Sequence, residues 1–338
     1  MPHSIRSMGI VLSLFALASA ALAQPATVKD PEAVPMPSVA ANVNGQPIYE
    51  VAVERALMSI PEDERTKARQ EVVQYLVDNA VIDQYLAALK VAVEPMDVDQ
   101  HLATFKEEVK KHDQDFALML KRMKLTEAEL KEQIFHQLRW EKFVNMQATD
   151  VKLKALFNHM PEAFNGTTLR ARHILIDAGT DPKARQDATA KLLELKAQIQ
   201  KEIADGMAKL PADADNLAKE KQRQQLIEDC FGEVAKKIST CPSKAEGGEL
   251  PWFPRYGSMV EQFSKAAYAL KPFEISDVVT TTFGCHLIVV VGRKDGPATK
   301  FEDDKVKDAV KEVYEARLKE AVLDQMKPRA KVEIVPMK

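Results

Sequence analysis

The hydrophobic period of this chain changes once, close to Asn165-Gly166, and that change rules out a single uniform architecture. Before it, apolar residues recur at helical spacing. Val73, Leu76, Val77, Ala80 and Val81 fall at i, i+3, i+4, i+7 and i+8, one face of an α-helix. Thr126-Glu-Ala-Glu129 reads as a capping box that opens a helix with Leu130, Ile134 and Leu138 on one side. Shorter helices are expected over 95–111, 113–123 and 150–158. After the change, residues 169–176 read as a strand, followed by a helix over about 182–204. A polar, charged stretch covers 205–226, where a charge run reads as a solvated face. A helix near 230–238, a loop rich in Gly and Pro and a short strand at 250–253 come next. A helix over 259–269 and strands near 275–281 and 285–292 complete an α+β order with antiparallel strands.

The two ends of the chain pose a pairing problem. Residues 39–48 resemble a hairpin around Asn44-Gly45, a strong turn signal. A helix over about 302–326 carries a stripe of Val306, Val310, Val313, Tyr314 and Leu318, and residues 330–335 close the chain as a strand. A lone terminal strand needs a partner, and 39–48 is the unpaired candidate. The expectation is an α+β chain: an antiparallel four-stranded sheet with surrounding helices, plus an all-helical domain completed by the C-terminal helix and strand. The boundaries expected are 39–165 for the helical domain, 166–295 for the sheet domain and 296–338 for the returning tail.

Residues 1–23 look like a signal peptide, with Arg6 in the n-region, an apolar run from Gly9 to Ala20 and the small-x-small pattern Ala21-Leu22-Ala23. The run falls short of the roughly 20 residues that a spanning helix needs, so no stable membrane span is expected after cleavage. Residues 24–38, with four prolines, read as a linker. The protein is therefore expected to be exported and bacterial, periplasmic or otherwise extracytoplasmic. Net charge is −3, and losing Arg6 makes the remainder one unit more negative, which gives no general attraction to phosphate backbones and sets nucleic acid aside. Cys230, Cys241 and Cys285 are odd in number. A helix between Cys230 and Cys241 would hold their ends apart by more than about 10 Å, beyond the reach of a disulfide, so all three thiols are expected to be free. No metal-ligand spacing such as C-x-x-C is present.

Three stretches carry candidate chemistry. They are Arg170-Ala-Arg-His173-Ile-Leu-Ile176, the run from Ser239 through Cys241, Gly247-Gly248 and Leu250 to Phe253, with Met259-Val-Glu-Gln-Phe263 beyond it, and Val279-Thr-Thr281-Thr-Phe-Gly284-Cys-His286. His173 shares a strand face with Ala171 and Leu175, and His286 with Ile288 and Val290. One histidine on an apolar face is ordinarily a satisfied core residue. Two, near Cys241 and an apolar cluster of Leu250, Met259 and Phe263, suggest more. Burial disfavours imidazolium, and neutral rings can each donate and accept, forming a relay with Thr281. Cys241 beside a histidine also invites a nucleophile reading, but that chemistry needs an orienting group and oxyanion donors as well.

Over 169–292 these blocks resemble the parvulin, or PpiC-type, rotamase domain: its A-x-H-I-L strand, its G-G-D-L-x-W-F turn, its M-V-x-x-F helix and its closing F-G-x-H strand. The flanking helices and returning tail resemble the SurA/PrsA-like foldases. The resemblance implies a peptidyl-prolyl cis–trans isomerase without cofactor or metal. It implies that His173 and His286 form the site floor, that Cys241 takes the position often held by Cys or Asp, and that Thr281 joins their network. Leu250, Met259 and Phe263 would line the proline pocket, with Phe253 a supporting core residue. Partners would be unfolded or partly folded exported polypeptides containing X-Pro bonds, and a homodimer stays open. The sequence departs from the pattern at Pro251, at an extra residue near Tyr256, at Phe273 where Gly is usual, and in an insertion at about 205–226. The alternative function is an ATP-independent holdase with a weak or inactive parvulin domain.

Overall fold

The computed structural model describes residues 38–179, 181–211 and 213–336. The expected signal peptide, and all of the expected linker except Ser38, lie outside the described residues. Two compact units emerge, one from residues up to Leu153 together with Lys311–Lys338, the other from Lys154–Val310.

The first unit opens with strands β1 (Val39–Val43) and β2 (Gln46–Tyr49), paired antiparallel. Asn44 and Gly45 both have positive φ, 52° and 85°, as a two-residue hairpin turn with the right twist demands. Helices α1 (Glu50–Leu57), α2 (Arg65–Ala88), α3 (Pro95–Lys111), α4 (Phe116–Arg122) and α5 (Glu127–Gln147) follow. The capping box at Thr126 forms: its hydroxyl accepts from the Glu129 amide at 3.1 Å, and the Glu129 carboxylate accepts from the Thr126 amide at 2.8 Å. The stripe on α2 buries Val73, Leu76, Val77 and Val81 against Ala41, Val43 and Ile48 of the hairpin.

The second unit starts in helix α6 (Asp150–His159), where Phe157 stacks with Phe164 and packs on Phe301. Strand β3 (Thr168–Ile176) leads to a long helical hairpin, α7 (Pro182–Met207) and α8 (Asn216–Ile238). Most of the stretch 205–226, expected to be a charged segment ahead of a short helix, is therefore the far end of this hairpin. Lys, Glu and Gln are good helix formers, and α8 simply runs beyond the core that Ile227, Phe231, Val234 and Ala235 fill. Strand β4 (Phe253–Pro254) is shorter and later than the expected 250–253, because Pro251 has no amide hydrogen to give to a ladder. Helix α9 (Glu261–Ala269) and strands β5 (Val279–Thr281) and β6 (Gly284–Lys294) complete the antiparallel sheet in the order β4-β3-β6-β5. Phe273, in the turn before β5, takes φ 61°, and its amide donates to the Val290 carbonyl at 2.8 Å.

Both faces of this sheet are covered. Ile174, Cys285, Leu287 and Val289 pack on α7 and α8, while Leu169, Ala171, Ile288 and Val290 pack with Phe253, Phe263 and Tyr268. This explains why β6 is an almost unbroken apolar run: each alternate side chain meets a different core.

Helix α10 (Asp304–Met326) leads back to the first unit, and strand β7 (Val332–Ile334) pairs with β1. The first unit is thus not wholly helical. It holds a three-stranded sheet in the order β2-β1-β7. Asn44 fastens the join twice, its amide donating to the Lys331 carbonyl and its side-chain oxygen accepting from the Lys331 amide, both at 2.8 Å. Removing residues 331–338 should cost the first unit about 2–4 kcal/mol, counting a few lost backbone bonds at roughly 1 kcal/mol each. Amide hydrogen exchange tests this directly: the Asn44 amide should lose its protection in the truncated chain, while amides of β6 keep theirs.

Candidate active site

The site is built on the register of β3 and β6. His173 lies opposite Ile288, and His286 opposite Leu175, so the two histidines are diagonal neighbours on one face of adjacent strands. Their rings stack with centroids 5.5 Å apart and planes 18° from parallel, and the two Nδ1 atoms are 3.3 Å apart. The other nitrogens point outward along the same line. His286 Nε2 lies 2.8 Å from the Thr281 hydroxyl, and His173 Nε2 lies 3.1 Å from the Ser243 hydroxyl. Thr281 Oγ1 also accepts from the Phe283 amide at 3.1 Å.

This gives a continuous row, Thr281–His286–His173–Ser243. Two proton arrangements satisfy every ring nitrogen. In one, Thr281 donates to His286, His286 to His173, and His173 to Ser243. In the other, every bond is reversed. Both rings are neutral in each arrangement. A second extra proton would set two N–H groups head to head at the Nδ1 contact. A first would leave a positive charge in a buried site where, among the described residues, neither ring has a carboxylate partner. Burial pushes His173 down to about 4. Burial, and after it the charge of a protonated His173, pushes His286 down to about 4.

The loop 239–250 is held to β3 by backbone and hydroxyl bonds. Ser239 Oγ accepts from the Leu175 amide at 3.1 Å and the Cys241 amide at 3.3 Å, and the Thr240 amide donates to the Leu175 carbonyl at 2.8 Å. The 3-10 turn Pro242–Glu246 then carries Ser243 to His173. Sequence reasoning missed Ser243. Pro242 marks the start of the turn, but nothing in the sequence says which way the turn carries the next residue. Gly247 and Gly248 follow at φ 66° and 76°. The His173 amide donates to the Gly248 carbonyl, and the Leu250 amide to the Ala171 carbonyl, both at 2.9 Å. A Cβ on Gly248 would collide with the His173 carbonyl oxygen.

The structure brings His173, His286 and Thr281 into direct contact and sets Phe263 edge-on to both rings, at 5.6 Å and 5.5 Å between centroids. Phe263 is buried, and Leu250 and Met259 pack half-buried on the same cluster. The wall beside the histidines is therefore apolar and partly open. Cys241 is half-buried and caps the 3-10 turn, but among the described residues its thiol makes no hydrogen bond to either ring. Cys230, Cys241 and Cys285 are all unpaired. Among the described residues no cluster of three or more His, Cys, Asp or Glu is placed to hold a metal ion.

Two outcomes follow from this geometry. Gly248→Ala combines a strained backbone with overlap on β3 and should destabilise the second unit by about 3 kcal/mol or more in a urea titration. The histidines should also give a pH signature. Their folded values lie below the ordinary 6.5, so the unfolded chain binds more protons between about 6.5 and about 4. Their contribution to stability is complete above that window and is lost as pH falls through it. Unfolding free energies measured across the window should fall less steeply when both histidines are replaced by glutamine.

Comparison with known proteins finds two family models along the chain. A family model described as "PPIC-type PPIASE domain" matches residues 206–292, which includes Cys241 to His286 and leaves His173, on β3, outside the matched span. A model of the SurA-like N-terminal domain matches residues 4–144. The foldase protein PrsA of Bacillus subtilis (strain 168) is 31% identical over 61% of this chain and 57% of its own length. The chaperone SurA of Thiobacillus denitrificans is 33% identical over 51% of this chain and 33% of its own. The chain thus spans about half the length, or less, of these curated relatives. The solved peptidylprolyl isomerase PrsA from Bacillus anthracis shares 25% identity over 72% of this chain and 94% of that one, with a TM-score of 0.42. The chain accordingly carries a PpiC-type rotamase domain and, ahead of it, a SurA-like N-terminal domain.

Proposed function

We propose that this protein is an exported peptidyl-prolyl cis–trans isomerase that assists the folding of secreted or envelope proteins. The observation that carries this reading is the row of neutral, buried hydrogen-bonding groups set against the apolar wall of Phe263, Leu250 and Met259. The wider setting is consistent with it: relatives named foldase and chaperone, and a leader pattern at residues 1–23. Among the described residues no helix is long and apolar enough to cross a membrane.

Rotation about an X-Pro bond breaks amide resonance and meets a barrier of about 20 kcal/mol. No covalent step is needed. The protein has only to bind the twisted amide better than either planar form. In our reading Leu250, Met259 and Phe263 grip the proline ring, and desolvation favours the less dipolar twisted state. His173 and His286, braced by Thr281 and Ser243, supply fixed neutral dipoles beside the moving carbonyl. Cys241 sits at the rim and shapes the approach. The isomerase domain spans about 166–295, and the remaining described chain serves to hold the client polypeptide.

An exchange-based assay on an Ala-Pro peptide panel, with residues 24–338, tests the assignment. Acceleration should fall by about ten-fold or more in His286→Ala, where part of the dipole row is lost. Met259→Ala should lower it by roughly ten-fold through lost apolar contact. Unchanged rates in both variants would refute the site. No acceleration by a folded wild-type protein on any peptide would instead favour a holdase, with Pro251 and Tyr256 at the pocket rim as the suspects.

A further inference from the structure

Thr281 closes one end of the histidine row, and its hydroxyl meets His286 only if the turn that carries it is held in place. The strand behind that turn gives little support. β5 is three residues long and lies at the edge of the sheet, with β6 as its one ladder partner. An edge strand leaves half of its backbone groups outside the ladder. Helix α7 supplies the missing support. Its Lys196 pairs with Asp277 ahead of β5 at 2.9 Å, but that carboxylate is 99% exposed, so the pair contributes little.

Arg185, near the start of α7, makes the stronger join. Its Nε donates to the Gly179 carbonyl at 2.7 Å, and a terminal guanidinium nitrogen donates to the Thr281 carbonyl at 3.2 Å. Bonds from an ionised donor are stronger than neutral ones, and the rigid guanidinium fork fixes the two carbonyls relative to each other. The start of the helix is itself anchored. The Asp181 carboxylate accepts from the Ala184 amide, and the Arg185 carbonyl accepts from the Thr189 hydroxyl, both at 2.7 Å.

Gly179 belongs to the loop that leaves β3, and this loop is tied to the other end of the row. The Asp177 carboxylate accepts from the Gly179 amide at 3.1 Å, and the Asp177 amide donates to the Thr240 hydroxyl at 3.1 Å. Thr240 lies in the loop 239–250, which carries Ser243 to His173. The guanidinium of Arg185 thus joins the turn that presents Thr281 to a loop bonded to the segment that presents Ser243. The two lie close together: a Cβ on Gly284 would collide with the Ile176 carbonyl oxygen.

We propose that Arg185 is a positioning residue for the isomerase site, holding the Thr281 and Gly179 carbonyls so that the Thr281 hydroxyl stays aimed at His286. Without the guanidinium the Thr281 carbonyl must turn to water, and the turn is free to follow it. The effect on turnover rests on the isomerase reading, whereas the effect on the Thr281–His286 bond does not.

Arg185→Ala should lower kcat on an Ala-Pro peptide about ten-fold with KM little changed, because displacement of a distant support costs orientation rather than contact. Thr281→Val should slow it to a similar degree. The double variant should be no slower than the slower single one, the mark of two residues acting through one bond. Arg185→Lys keeps the charge but lacks the fork, so its rate should fall between wild type and Arg185→Ala. By NMR, the His286 ring nitrogen shifts, which report where the proton sits, should move in Arg185→Ala. The Phe283 amide, which donates to Thr281 Oγ1, should exchange faster with solvent while amides of β6 stay protected. If Arg185→Ala does not fold, Arg185→Lys carries the same comparison. Losses that add in the double variant, or His286 shifts that stay unchanged, would overturn the proposal. Moved His286 shifts in a protein that isomerises nothing would uphold the placement of Thr281 while removing the isomerase reading.

Discussion

The pairing of β3 with β6 is the constraint on which the second unit depends. Side chains alternate between faces along a strand, so one residue of slip in either strand would exchange its two cores. The observed register puts Cys285 and Leu287 toward α7 and α8, and His286 and Ile288 toward Phe263. It also sets His286 one diagonal step from His173. The site has no separate scaffold: the contact that builds the histidine row is the contact that closes both hydrophobic cores. The cost of burying two imidazoles is met by the same economy. Each ring nitrogen finds a partner within the row, from Thr281 to Ser243, so no buried polar atom of either ring is left bare.

Much of this is legible in the sequence alone. His173 and His286 alternate with apolar residues, which fixes the face they occupy once the strands are recognised. Asn44-Gly45 and the Thr126 capping box are local signals with local causes, and both form as written. What escaped had non-local causes. The charged beginning of α8 lacks an apolar stripe because that part of the helix passes beyond the core, so periodicity had nothing to report. The short strand near 250 slid to Phe253–Pro254 because Pro251 interrupts the ladder, while the glycine pair before it made an isolated bridge, Glu249 to Arg172. Ser243 was invisible because its role depends on the direction in which a 3-10 turn carries it toward β3. Cys241 caps the turn that delivers Ser243, and among the described residues its thiol makes no hydrogen bond within the row.

The two units solve the problem of stability differently. The second is stapled by a contiguous sheet whose strands pair across a short turn at Thr281–Gly284 and a longer excursion through the helices. The first relies on a stripe of α2 and on a strand delivered from the far end of the chain. Helix α5 serves several neighbours at once: Trp140 reaches Glu315 on α10, while Leu138 packs with residues of α3 and α4.

The β1–β7 pairing has a consequence for the order of events during synthesis. Residues 154–310 are contiguous and need nothing that comes after them, so they can close as soon as they emerge. The unit that emerges first lacks its third strand until residues 332–334 are made. The nascent chain therefore reverses the usual sequence in which domains finish from the N-terminus onward. For most of its synthesis the leading segment carries an open sheet edge at Ala41 and Val43, a site at which it must be kept from pairing with strangers.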